Sequence, residues 1–136
     1  MNPRAQQLIE TLRLQPHPEG GYYRETHRST QTVAAHGGQR AAVTSILFLL
    51  PAGQRSRPHR VKSDEVWMHH QGDDLLLRIG DQTVVLGQDA PAHFQATVPA
   101  DVWQSAEPLD GPHGFVLVGC VVAPGFDFQD FEMEED

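Results

Sequence analysis

Cysteine is nearly missing from this chain: Cys120 is the only one in 136 residues, which excludes an intramolecular disulfide framework. That scarcity fits a reducing compartment, and the chain is expected to be cytoplasmic. Long apolar runs are missing as well. No stretch approaches the roughly 18 residues that a membrane-spanning helix requires, and Met1 to Gln7 carries no apolar signal region. Positive charge is also in short supply. Ten Lys and Arg stand against eighteen Asp and Glu, a formal net charge of -8, so the basic footprint of a nucleic-acid or anionic-membrane surface is absent.

What is present is punctuation. Twelve Gly and ten Pro are spread along the chain and divide it into short elements, which favours β structure over a helix bundle. One segment has helical periodicity. Asn2-Pro3 suits a helix start, and Ala5, Leu8, Ile9 and Leu12 form one apolar stripe, so a helix is predicted over about 3–14. Strand-sized pieces follow at Tyr22 to Thr26, Ala42 to Leu50, Val66 to His70 and Leu75 to Ile79. Others run over Thr83 to Leu86, Phe94 to Val98, Trp103 to Ala106 and Phe115 to Ala123. Gly80-Asp81 reads as a hairpin tip, and residues 30–39 as a polar loop with Gly37-Gly38 at its end. Many short strands without alternating helices indicate an antiparallel all-β sandwich or barrel. One domain is expected over 1–131, followed by an acidic tail over 132–136. Cys120 lies inside the most apolar strand, which predicts a buried, inert thiol.

The segment from Gly53 to Gly72 carries the candidate chemistry. His59 and Glu65 stand at the two ends of a tight strand connection, where an imidazole and a carboxylate could share a metal ion, act as base and acid, or hydrogen-bond only to orient two strands.

Gly53 to Gly72, with His59 and Glu65 in place and Val61 where a second His would stand, resembles the first motif of the cupin superfamily. Pro99-Ala-Asp101-Val-Trp-Gln104 resembles the second, with Gln104 in place of a metal-binding His. His17 to Thr26, Arg60 to Trp67 and Val121 to Phe128 resemble the signatures of one cupin branch of unknown function, compared with sugar epimerases and germin-like proteins. The resemblance implies a double-stranded β-helix, or jelly roll, with a pocket in its mouth, and a homodimer. It also implies a small polar ligand, sugar-derived or anionic.

With two of the usual ligands replaced, no cofactor is required as the first expectation. A divalent metal, zinc or nickel, held by His59, Glu65 and Gln104 is the alternative. In the metal-free reading His59 is the base of an isomerase- or epimerase-like reaction, Glu65 orients it, and Tyr22 or Tyr23 is the acid. The two Tyr alternate along a strand, so only one faces the pocket. Arg24 shares a face with Tyr22, and either clamps an anion there or pairs with Glu19 or Glu25. Trp67 and His69 share parity with Glu65, so Trp67 could stack on a ligand and His69 could lie deeper. Phe126 and Phe128 either cover the pocket, pack at a dimer interface or close the core. A non-catalytic binding module is the competing reading.

Overall fold

The strand Phe115–Ala123 organises the molecule, because it is apolar on both faces. Val116, Val118 and Cys120 point to one side, into a cluster with Phe48, Leu50, Trp67, Leu75, Leu77, Leu86, Val98 and Ala106. Phe115 and Leu117 point to the other side and pack with Ala5, Leu8, Leu14 and Leu49. The near-continuous apolar run in the sequence therefore has two separate partners, a facing sheet and a covering helix.

The computed structural model describes residues 1–135. One helix, α1 (Pro3–Thr11), precedes thirteen strands: β1 (Gln15–Pro16), β2 (Tyr22–Arg28), β3 (Thr32–Ala35), β4 (Gly38–Ala41), β5 (Thr44–Pro51), β6 (Ser56–Arg60), β7 (Asp64–Gly72), β8 (Leu75–Ile79), β9 (Gln82–Leu86), β10 (Gln95–Val98), β11 (Gln104–Pro108), β12 (Phe115–Ala123) and β13 (Glu132–Met133). A short 3-10 turn, Phe128–Asp130, lies before β13. Six strands form one sheet in the order β1-β2-β5-β12-β7-β10, five form another in the order β13-β6-β11-β8-β9, and β3 and β4 pair with each other. The two large sheets face one another across the first cluster as an open jelly roll.

Asn2 caps α1 by accepting the amide protons of Arg4 at 2.8 Å and Ala5 at 3.2 Å. The helix is shorter than its apolar stripe predicts. Arg13 adopts a left-handed conformation at φ 57° and ends it, while Leu14 still packs into the cluster beneath it.

Two further expectations are corrected. Most of residues 30–39, read as a polar loop, falls in the β3–β4 hairpin, whose two-residue tip is His36-Gly37 at φ 54° and 83°. That is the conformation a tight hairpin turn requires; its largely exposed faces carry no apolar alternation to announce it. Glu132 and Met133, assigned to an acidic tail, pair with Arg60 and His59 of β6. Asp136, the last residue of that expected tail, lies outside the described residues.

Candidate functional site

A chamber of about 40 Å³ opens between the two sheets, lined by residues of eight chain segments. β6 contributes His59, the β6–β7 connection Val61, and β7 Glu65. β5 supplies Thr44 and Ile46, β12 supplies Cys120 and Val122, and β2 supplies Tyr23. The segment before β2 adds His17 and Glu19, and the segment after β12 adds Phe126 and Phe131. A groove of about 270 Å³ shares Tyr23, Thr44, Ile46 and Phe126 with the chamber and adds Glu25, Arg28, Asp127 and Phe128. The two spaces adjoin at those shared residues.

Glu19 is the residue the sequence reading missed. It reaches the chamber because the turn after it is built from two glycines in positive φ, Gly20 at 111° and Gly21 at 73°. A Cβ on Gly20 would overlap the Arg55 carbonyl, and one on Gly21 would lie 2.8 Å from the Leu49 carbonyl oxygen, so only glycine lets this loop sit so close to the sheets. The turn is tied by Gly20 N to His17 O at 3.0 Å and docked on β6 by Arg57 N to Glu19 O at 2.7 Å. The side chain of Glu19 is then buried, 4% exposed, with Oε2 placed 2.8 Å from His59 Nδ1. The adjacent Gly-Gly pair was the available signal.

His59 Nδ1 also lies 2.7 Å from the carbonyl of Arg57. Both neighbours are acceptors, so Nδ1 carries a proton. Burial opposes the charged ring, but the Glu19 carboxylate, helped by Glu65 and the Arg57 carbonyl, outweighs it and pushes the pKa up to about 9. His17 behaves in the opposite way. Its Nδ1 accepts the amide proton of Glu19 at 3.0 Å, which fixes a neutral tautomer, and burial lowers its pKa, with His59 adding to the effect and Glu19 opposing it. Glu65 is pushed up to about 7, chiefly by burial, with His59 pulling down and Glu19 pushing up. Its Oε1 accepts from Gln104 Nε2 at 3.0 Å. Phe131 stacks on the His59 ring, centroids 5.5 Å apart, and contacts Phe126 and Phe128 edge-on. Burial, with Glu65 next, raises the Cys120 thiol far above its ordinary value.

Of the residues nominated from sequence, the structure brings His59, Glu65, Tyr23 and Phe126 together at the chamber. It places the others elsewhere. Tyr22 points to the opposite face of β2 and packs with the cluster under α1. Arg24 shares that face and donates to the Leu12 carbonyl at 3.3 Å, so it is no anion clamp at this pocket. Trp67 does share the inward face with Glu65, but it is fully buried in the core and offers no surface to a ligand. His69 lies farther along β7, held by the Asp73 carbonyl and Gln88, each at 2.8 Å.

Gln104 is engaged at both ends of its amide: Oε1 accepts from Trp67 Nε1 at 2.8 Å and Nε2 donates to Glu65. The nitrogen, not the oxygen, is directed at Glu65. The set His59, Glu65 and Gln104 therefore does not fit the metal that the sequence resemblance allows. Among the described residues, no three His, Cys, Asp or Glu side chains gather as a metal-binding group.

The fold and this pocket place the chain in the cupin superfamily. Residues 6–134 match the family model described as cupin superfamily (DUF985), and the chain belongs to that family. It is similar to a hypothetical protein from Leishmania major, 38% identical, with 96% of this chain and 86% of that one covered at a TM-score of 0.89. It is also similar to a protein from Shewanella oneidensis, 37% identical, with 99% and 85% covered and a TM-score of 0.85. A DMSP lyase from Ruegeria pomeroyi, 14% identical over 74% of this chain and 46% of that one at a TM-score of 0.51, shares the fold alone. No curated protein matches the chain.

Proposed function

We propose that this cupin binds a small polar metabolite in the groove and moves a proton on the end that enters the chamber, in an isomerase- or epimerase-like reaction. The observation that carries this reading is the buried Glu19–His59 contact at 2.8 Å, set opposite Glu65 in one chamber. With its proton retained at neutral pH, His59 serves as the acid, offering Nε2–H to a substrate carbonyl oxygen. Glu65, whose pKa of about 7 suits proton transfer near neutrality, serves as the base that takes the proton from the adjacent carbon. Tyr23 borders chamber and groove and is the further group that could return a proton. These roles reverse the sequence-based assignment of His59 as base, because an imidazole that already holds both its protons cannot take another.

The test is solvent exchange. Small hydroxy and keto compounds are incubated with the protein in deuterated water, and protein-dependent loss of carbon-bound proton signals is followed by NMR. His59→Asn and Glu65→Gln should each slow that loss about 100-fold or more. Exchange undiminished in both variants would remove these residues from the reaction.

A further inference from the structure

The charges around the two adjoining spaces do not balance. Four acidic side chains face them, Glu19 and Glu65 in the chamber and Glu25 and Asp127 in the groove, against two cations, His59 and Arg28, so negative charge is in excess even with Glu65 protonated. Both cations are committed. His59 is held by Glu19 at 2.8 Å. Arg28 Nε contacts Glu25 Oε1 at 2.7 Å while its Nη2 donates to the Phe126 carbonyl at 3.0 Å. Arg40, on the neighbouring hairpin, is committed to Asp130 through contacts of 2.8 and 2.9 Å. Glu65 inside is bonded by the neutral Gln104 and Asp127 outside caps the Gln129 amide at 2.8 Å, and among the described residues neither carboxyl group has a cation in direct ion-pair contact.

The walls of the groove are aromatic. Tyr23, Phe126 and Phe128 line it, Phe126 and Phe128 meet edge-to-face at 4.8 Å, and Phe128 is 50% exposed. Ring faces beside carboxylates attract organic cations, and the attraction grows as water is excluded. Size adds a second constraint. A chamber of about 40 Å³ admits a head group of one to three heavy atoms, the volume of a few waters at most. A phosphate is too bulky for it and has the wrong charge.

We infer that the ligand is a small organic cation with a short hydroxyl or carbonyl arm. Its positively charged body sits in the groove against Tyr23, Phe126, Phe128 and Asp127, and its neutral arm reaches between His59 and Glu65. The inference rests on the proposed binding role of this pocket and replaces the expectation of an anionic metabolite, which depended on Arg24.

Three probes of one shape separate the possibilities: choline, its uncharged isostere tert-butylethanol, and the carboxylate of tert-butylacetic acid. Each is titrated into nitrogen-15-labelled protein while the amides of Ile46, Val61, Val122 and Phe126 are followed by NMR. Choline should move these amides and bind roughly tenfold or more tightly than tert-butylethanol, with the carboxylate weakest. Asp127→Asn, which keeps the cap on Gln129, should reduce the preference for choline several-fold. Glu65→Gln serves as a second variant with the same expected direction. If the carboxylate binds as well as choline at these amides, or neither variant changes the preference, the cation inference falls and the pocket reading stands. If no probe moves these amides, both fall.

Discussion

Trp67 and Gln104 share a buried hydrogen bond of 2.8 Å that decides which way the glutamine faces. An indole N–H can only donate, so Gln104 must turn its oxygen to Trp67 and its NH2 to Glu65. The position that resembles a metal ligand in related motifs has become an orienting group for a carboxylate. Trp67→Phe removes that donor and leaves a gap in a fully buried core. It should cost about 2–4 kcal/mol, measured by urea unfolding.

The same geometry indicates what would be needed to restore a metal site. Val61 lines the chamber beside His59 and Glu65, and Gln104 already bonds to Glu65. Val61→His combined with Gln104→His supplies the imidazoles that the present set lacks. The double variant should bind cobalt(II) with visible absorption bands, and the parent chain should show none under the same conditions.

Stability should fall as pH rises across a broad window. Glu65 has a folded pKa of about 7 against an ordinary 4.5, so folding favours its protonated form and that contribution is lost as pH climbs from 4.5 through 7. His59 has a folded pKa of about 9 against 6.5, so its contribution is complete below 6.5 and is lost through 9. Together these groups should remove on the order of several kcal/mol between about pH 5 and pH 9. Urea midpoints across that range check the slope, and Glu19→Gln should flatten its upper half.

How much of this was legible in the sequence depends on the kind of signal. Strand alternation correctly grouped Glu65 with Trp67 and His69, and Arg24 with Tyr22. Alternation says which residues share a face, but not which face is inside or how deep a residue lies. Arg24 and Tyr22 therefore went to the helix side of β2, and Trp67 into the core. An antiparallel all-β fold was readable because turn residues and apolar strands are local features, and the resemblance of the motifs narrowed it to a jelly roll. The Glu19–His59 contact was not, since it joins residues forty positions apart through a loop whose path depends on Gly20 and Gly21.

Cys120 sits at the chamber wall but should not react there. Burial and the adjacent Glu65 hold the thiol protonated, and only the thiolate is a good nucleophile. A disulfide-exchange reagent such as Ellman's should leave the folded protein unmodified and label one thiol per chain in urea.

The charge state of His59 is the claim on which the proposed chemistry rests most directly. Nitrogen-15 NMR of the imidazole at about pH 7.5 should find both ring nitrogens of His59 protonated, titrating near 9, with Glu19→Gln bringing the midpoint down to or below the ordinary histidine value. A neutral His59 at that pH in the unaltered chain, titrating at or below 6.5 whether or not Glu19 is present, would contradict it.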